Sequence, residues 1–169
     1  MSAPACTIRI GRPADVPTIF GLINGLADYE KLSHEVVGTE ELLREHLFGA
    51  RPYCEVLLAE ADGRAVGFAL FFHNYSTFLT KPGIYLEDLF VLPEDRGRGY
   101  GKALLTALGR LAVERNCGRL EWSVLDWNEP SIQFYKSLGA VPKDEWTINR
   151  VDGEALIKLG AMGPPISPA

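Results

Sequence analysis

The sequence has few residues of the kinds that form metal centres or disulfide frameworks. It contains three cysteines (Cys6, Cys54 and Cys117), and its three histidines show no metal-binding spacing. An odd, widely spaced set of cysteines is typical of reduced thiols rather than of paired disulfides. We therefore expect structural thiols and no metal site, with a catalytic or metal-ligating cysteine as the alternative.

The chain also lacks long apolar runs and an excess of basic residues. No apolar run approaches the roughly 20 residues that span a bilayer, and the start, MSAPACTIRIG, has no signal-peptide pattern. The formal net charge is −5, which disfavours a nucleic acid partner because neutralising phosphates requires a basic face. We expect a cytoplasmic protein with no membrane or nucleic acid partner; net acidity is compatible with a cationic substrate.

The remaining composition is that of an ordinary globular domain. The chain has 169 residues, of which 47% are hydrophobic and 23% charged, so it can bury a sizeable core. We expect a single domain over residues 1–169, with its core at about residues 7–159 and a flexible tail over residues 160–169.

Hydrophobic periodicity predicts an α/β protein with a mixed sheet. We expect strands at residues 7–11, 54–61, 64–75, 84–92 and 119–125, and helices from Pro13 to about Tyr29, from the cap Thr39, after residue 101, and from Pro130 to Gly139. Residues 73–83 predict a loop, and residues 146–152 and 155–160 predict a last pair of strands around a turn. Antiparallel hairpins thus precede a strand–helix–strand crossover.

Residues 94–105, EDRGRGYGKALL, place a glycine-rich turn between a strand and a helix. The first N–H groups of a helix have no intrahelical partner and lie at its positive end, so they favour an anion such as phosphate. The turn alternates glycines with cations: Arg96, Gly97, Arg98, Gly99, Gly101 and Lys102. A flexible, solvated turn is the alternative interpretation.

The glycine spacing argues against two common phosphate loops. A Walker loop requires Ser or Thr after GxxxxGK, whereas Ala103 follows Lys102 and Arg96 stands where the first glycine belongs. A Rossmann fingerprint requires GxGxxG, and here the third glycine comes one residue early. Glu121 does lie about twenty residues downstream, where a ribose ligand is expected, but antiparallel hairpins precede this unit.

The spacing R-x-x-G-x-G, at Arg96, Gly99 and Gly101, resembles the pyrophosphate signature of the GNAT superfamily of acyl-CoA-dependent N-acetyltransferases. YLEDLFVLPEDRGRGYGKALL, WNEPSIQFYKSLGA and LADYEKLSHEV resemble the spermidine/spermine N-acetyltransferase family, and most of all its thialysine-acetylating branch, from about residue 8 to residue 159. The resemblance implies a GNAT fold with a βαβ acyl-CoA-binding half, acetyl-CoA as co-substrate and a homodimer.

The resemblance also implies two catalytic residues. It places the family's proton donor at Tyr135, a phenol able to protonate a thiolate; packing beside Phe134 is the alternative. It places a substrate-contacting glutamate at Glu87, our candidate base, which strict strand alternation puts on the face of Tyr85 with Asp88 on the other, structural face. An exposed or salt-bridged Glu87 is the alternative.

Further contacts follow from the same resemblance. For the cofactor we expect Leu89, Phe90, Val91, Arg96, Gly97, Arg98, Gly99, Tyr100, Gly101, Lys102, Asn128, Ser131 and Lys136. For the amine we expect Tyr29, Glu30, Glu87, Glu121, Trp122, Ser123 and Asp144. Helix capping is the alternative for Asn128 and Ser131, and a solvated helix end is the alternative for the acids near Tyr29.

The resemblance favours a short amine. The acidic loop VPKDEW is shorter than that of the polyamine enzymes, so we expect thialysine, a lysine-like amino acid, ornithine or a diamine, acetylated directly in a ternary complex. A spermidine/spermine or protein acetyltransferase, and a non-enzymatic acyl-CoA-binding module, are the alternatives. The presence of both Glu87 and Tyr135 favours an enzyme.

Overall fold

A computed structural model of the protein describes residues 6–169. The prediction that the chain starts without a signal peptide rests partly on residues 1–5, outside the described part. The strands are β1 (Thr7–Ile10), β2 (Glu55–Ala61), β3 (Arg64–Ser76), β4 (Lys81–Val91) and β5 (Leu120–Trp122). The helices are α1 (Val16–Glu30), α2 (Glu40–Phe48), α3 (Tyr100–Glu114), α4 (Glu129–Ser137) and α5 (Gly153–Ala161).

Two compact units divide the chain, one ending at Ser123 and the other spanning Val124–Ala169. The first holds the whole sheet, in the order β1-β2-β3-β4-β5. Neighbours from β1 to β4 are antiparallel, and β5 runs parallel to β4 after the crossover through α3. The predicted mixed α/β fold is confirmed.

Helices α1 and α2 cover one face of the sheet. Thr39 begins α2 by accepting a hydrogen bond from the backbone N–H of Leu42, at 3.3 Å, as a cap residue should. The core on this face joins helix and strand residues: Ile19, Leu22, Leu26, Leu47, Val56, Leu58, Phe68, Leu70 and Phe90. Burial of these apolar side chains stabilises the packing of α1 and α2 on the sheet.

Helix α3 covers the opposite face. A cleft of about 320 Å³ opens there between α3 and strands β1 and β2, with Leu57, Phe71, Ala107 and Leu111 in its walls. Leu57 and Phe71 alternate with the residues that face α1, such as Val56 and Leu70, so the two helical layers lie on different faces.

The loop predicted over residues 73–83 is wrong. Strands β3 and β4 pair as far as Ser76 and Lys81, which leaves a four-residue connection between them. Gly83 fits within the strand because it lies against the Asn74 side chain. A Cβ at this position would come within 2.3 Å of Asn74 Oδ1. Ladder pairing therefore outweighs the local preference for a loop.

In the second unit, α4 follows the sequence prediction. Asn128 Oδ1 accepts a hydrogen bond from the backbone N–H of Ser131, at 3.4 Å, and Pro130 lies in the first turn. Gly139 closes the helix with a φ of +91°, a conformation that glycine adopts without strain.

The predicted last pair of strands is wrong. Residues 146–152 form no helix or strand, and α5 occupies residues 153–161. Glu154 lies in the first turn of α5 and is 3.9 Å from Lys158, one turn later. Alanine and leucine favour a helix, and the acidic first turn and the spaced ion pair add to that preference. Among the described residues, no helix has both the length and the apolar character to cross a bilayer.

Candidate active site

Strand β4 contains a bulge at Glu87. Asp88 pairs with Leu70 of β3 and Leu86 pairs with Phe71, so Glu87 is an extra residue with no partner in the ladder. A bulge of this kind interrupts side-chain alternation and re-aims the residues beside it. The Glu87 side chain is exposed.

The bulge brings Asp88 to the same face as Tyr85. Leu70 and Phe72 point to one face of β3, and they pair with Asp88 and Tyr85. The prediction that Asp88 lies on the other face from Tyr85 is therefore wrong, because strict alternation fails at a bulge. Asp88 and Tyr85 lie on the face of the sheet that α1 covers, since Leu70 belongs to the core between α1 and the sheet.

Three carboxylates interact electrostatically on this face, near the end of α1. Burial, together with the charges of Glu87 and Glu30, raises the pKa of Asp88 to about 6. Burial also raises the pKa of Glu30. Clustered acids that are partly removed from water favour a bound cation, because a positive charge offsets both their repulsion and their lost hydration.

Beyond Leu86, β4 separates from β5. Their parallel pairing comprises three pairs and ends at Leu86 and Trp122, so among the described strands only β3 pairs with the rest of β4. Backbone groups on the other side of this segment are available to a ligand. Leu89, Phe90 and Val91, which the resemblance implies for the acyl-CoA arm, lie in this segment. Phe90 is buried in the core, and the Val91 carbonyl accepts a hydrogen bond from Arg96 Nε.

The glycine-rich turn leads from β4 into α3. Gly97 and Gly99 have φ angles of +76° and +85°, and a Cβ built on either residue would have no heavy atom within 4 Å other than those of the adjacent residues. Glycine is therefore required by the backbone conformation rather than by internal packing. The free N–H groups of Tyr100, Gly101 and Lys102 form the positive end of the helix.

Asp95 stabilises the glycine-rich turn through two ion pairs. It is 2% exposed, and its carboxylate is 2.7 Å from the Arg64 guanidinium and 3.6 Å from that of Arg98. Tyr100 is also 2% exposed, so its side chain belongs to the core and is not a surface contact for a ligand. Lys102 is exposed at the start of α3.

Arg96 contacts the protein in three places. Its Nε donates a hydrogen bond to the Val91 carbonyl, at 3.0 Å. Its guanidinium carbon lies 4.4 Å from the centroid of the Tyr29 ring and 5.4 Å from that of Phe90. Sequence reasoning missed these contacts, because no local pattern pairs residue 96 with the end of α1.

Two of the predicted amine contacts on β5 and just after it, Glu121 and Ser123, already have polar partners. Glu121 accepts from Asn74 Nδ2 at 2.9 Å and is 2.5 Å from Arg119 Nε. Ser123 Oγ lies 2.9 Å from Tyr85 Oη, and the Tyr85 ring stacks on Phe72 with centroids 5.2 Å apart. Trp122 is partly buried. Ser123 and Phe72 thus hold Tyr85 on the face of the sheet that it shares with Asp88.

The second unit carries the remaining predicted residues. Asn128 is buried and caps α4, the alternative that the sequence left open. Tyr135 lies on α4, partly buried, with its ring centroid 5.3 Å from that of Phe134. Lys136 and Asp144 are exposed.

The cysteines and acids give no sign of metal chemistry within residues 6–169. No cluster of three His, Cys, Asp or Glu residues able to hold a metal occurs there, and all three cysteines are free thiols. Burial, together with the charges of Glu55 and Glu87, raises the pKa of the Cys54 thiol. A raised pKa disfavours the thiolate that a nucleophile or metal ligand needs.

Comparison with known proteins places this geometry in a family. Residues 23–140 match the model of the Acetyltransferase (GNAT) family. The chain is 38% identical to thialysine N-epsilon-acetyltransferase of Mus musculus, over 90% of this chain and 95% of that protein. It is 36% identical to L-ornithine N5-acetyltransferase NATA1 of Arabidopsis thaliana, over 88% of this chain and 85% of that protein.

A solved structure has the same fold. An integron cassette protein from the mobile metagenome of V. cholerae superimposes with a TM-score of 0.78 at 27% identity, covering 95% of this chain and 98% of that one. Together, the family match, the bulged and splayed β4 and the glycine-rich helix start identify the chain as an acetyltransferase of the GNAT family, whose members use acetyl-CoA.

Proposed function

We propose that this acetyltransferase transfers the acetyl group of acetyl-CoA to a short primary amine with a second charged group, such as thialysine, a lysine-like amino acid, ornithine or a diamine. The observation that carries the proposal is the carboxylate face formed by Glu30, Glu87 and Asp88 beside the open side of β4. Three acids close together favour a cationic substrate.

The relatives support a short amine. The two similar proteins are named for thialysine and ornithine, which both carry a second amino group on a short chain. The polyamine alternative has weaker support, since a spermidine/spermine N(1)-acetyltransferase-like protein of Homo sapiens is 30% identical to this chain. A protein lysine or N-terminus as acceptor is the further alternative.

Each proposed role uses a group of this chain. Backbone N–H groups at residues 97–102, with Lys102, would hold the pyrophosphate, and the open backbone of β4 would hold the acyl arm. Glu87 would accept the proton from the substrate ammonium, directly or through water, so that the neutral nitrogen can attack the thioester carbon. The C–S bond breaks as the C–N bond forms, and Tyr135 would protonate the departing thiolate.

The structure supports a revised list of amine contacts. Asp88 joins Glu30 and Glu87, because the bulge gives it the face of Tyr85. Glu121 is less suited to bind the amine directly, since Asn74 and Arg119 already pair with it. Tyr29, Trp122, Ser123 and Asp144 are kept from the family resemblance.

We further propose that the whole chain is a single cytoplasmic acetyltransferase domain that forms a homodimer. The family model supports one domain because it runs from residue 23 to residue 140, across the boundary at Ser123. The family resemblance supports the dimer, and sedimentation of the purified protein tests it: a single species at the monomer mass contradicts it.

Turnover across a panel of amines tests the substrate proposal. Acetyl-CoA consumption is measured with thialysine, lysine, ornithine, diaminopropane, putrescine and spermidine, and with a lysine-containing peptide. We expect kcat/KM to be highest for thialysine or ornithine. Turnover of only polyamines, or of only the peptide, contradicts the short-amine proposal, and no turnover with any acceptor contradicts a catalytic function.

A further inference from the structure

We infer that Tyr29, at the end of α1, is a positioning residue for the pyrophosphate turn and acts through Arg96. The inference rests on the proposed acetyl-CoA site, because it assigns the turn a bound pyrophosphate. It gives Tyr29 a role on the cofactor side, whereas the sequence resemblance implied an amine contact alone.

Arg96 is suited to connect the two regions. Arg96 follows the short 3-10 turn Pro93–Asp95. It precedes Gly97, the first glycine of the turn and one with a left-handed backbone conformation. Its Nε hydrogen bond to the Val91 carbonyl holds the guanidinium at the end of β4. Its position 4.4 Å from the Tyr29 ring centroid is within the range of a cation–π contact. The side chain is therefore held against the protein rather than extended toward a ligand.

Helix α1 provides a fixed surface for this contact. Its Gly25 approaches the Phe90 ring so closely that a Cβ there would lie 3.1 Å from Phe90 Cε1. Leu26 is buried in the same core, and the helix ends just after Tyr29, where Lys31 adopts a left-handed φ of +62°. The Tyr29 ring therefore stands on a helix end whose place against β4 is set by close packing.

The turn itself needs such a support. Gly97 and Gly99 are exposed, and a Cβ on either would meet no neighbouring atom, so packing does not restrict their backbone. Asp95 restrains the turn through Arg98, and Arg96 restrains its first residues through Tyr29. Backbone N–H groups bind an anion best when they are held in place beforehand, so loss of the Tyr29 ring should weaken coenzyme A binding.

Calorimetric titration with coenzyme A, in the absence of any amine, tests the inference. The proteins are the wild type, Tyr29→Leu, Tyr29→Phe, Arg96→Gln and the double variant Tyr29→Leu/Arg96→Gln. Tyr29→Phe is the matched control because it keeps the ring and removes only the hydroxyl. A thermal melt of each variant verifies folding.

We expect Tyr29→Leu to raise the Kd for coenzyme A by about two- to fivefold, the size of an exposed cation–π contact, and Tyr29→Phe to restore wild-type affinity. The double variant should bind no more weakly than Arg96→Gln alone, because Gln carries no positive charge, so both changes remove the same cation–π contact. An unchanged Kd in Tyr29→Leu, equal weakening by Phe and Leu, or additive effects in the double variant would each overturn the inference while leaving the proposed function intact. Failure of the wild type to bind coenzyme A would overturn both.

Discussion

Asp88 is a residue whose position costs stability. A carboxyl group whose pKa is higher in the folded than in the unfolded protein binds protons more tightly when folded. Since the pKa of Asp88 is raised from 3.8 to about 6, its contribution to the free energy of unfolding becomes less favourable as pH rises through this interval. Residues kept at such a cost are candidates for function.

Asp88→Asn should therefore stabilise the protein at high pH. At pH 8 we expect the free energy of unfolding to rise by about 1–2 kcal/mol, less than the full equivalent of the pKa shift because the carboxyl retains some contact with water. Near pH 4 the gain should nearly vanish, since Asp88 is then protonated in the folded wild type. Urea unfolding at both pH values measures the difference.

The neighbouring Glu87→Gln variant is the control for this prediction. Glu87→Gln removes the same charge as Asp88→Asn, but Glu87 is exposed at the bulge. The free energy of unfolding should therefore change less in Glu87→Gln at either pH. Equal stabilisation by both variants at pH 8 would mean that general acidity, rather than the burial of Asp88, causes the effect.

Tyr135→Phe isolates the proposed proton donor. The change removes one hydroxyl and keeps the ring that lies beside Phe134. Loss of a general acid typically costs about 10²-fold or more in rate, so we expect kcat to fall by this amount while the KM for acetyl-CoA barely changes. Steady-state kinetics measures both, and an unchanged kcat would remove Tyr135 from the mechanism.

At the scale of elements, periodicity predicted most of the helices and strands that have one apolar face, but it missed the end of the β3–β4 ladder and the helix α5. Strand β1 ends one residue before its predicted end, and α1 ends one residue after its own predicted end. These elements were predictable because each buries one face, which gives its apolar residues a regular spacing. Residues 155–160 were assigned to a strand because their hydrophobicity alone does not separate a short strand from a helix. Spaced charges favour α5 instead.

The candidate site was predicted only in part, for reasons of the same kind. The glycine-rich turn was recognisable because its glycines and cations are close in sequence. The bulge at Glu87 was not, since it depends on the register between two strands, and the Arg96–Tyr29 contact was not, since it joins distant residues. Tertiary pairing therefore decides which acid shares the face of Tyr85.

The start of α3 can be tested with two glycines, one just before the helix and one in its middle. Gly99 has a φ of +85°, where an alanine costs roughly 1–2 kcal/mol, so Gly99→Ala should lower the free energy of unfolding and raise the Kd for coenzyme A. Gly109 lies mid-helix with space for a Cβ, so Gly109→Ala should add about 0.5–1 kcal/mol of stability and leave the Kd unchanged. Denaturation and calorimetry measure the two quantities; weaker binding by both variants would contradict a specific role for the helix start.

For the whole molecule, charge connects composition with the proposed substrate. The chain carries −5, and three of its acids interact electrostatically at the end of α1. A cationic amine would be attracted both by the overall field and by these acids. Salt screens exposed charges over a Debye length of about 10 Å at 0.1 M, so the two contributions can be separated by variants that remove equal charge at different places.

Asp88→Asn and Asp62→Asn form such a pair, because each changes the net charge to −4. Asp62 lies in the turn between β2 and β3. Leu70, the partner of Asp88, lies six residues after the start of β3, so Asp62 and Asp88 are separated by roughly 20 Å along the strand. We expect kcat/KM for thialysine to fall with added salt in the wild type and in Asp62→Asn, and to fall less steeply in Asp88→Asn. Initial rates at low thialysine between about 0.05 and 0.5 M NaCl measure these slopes. Equal slopes in all three proteins would mean that net charge alone attracts the amine, and that the carboxylate face does not bind its cation.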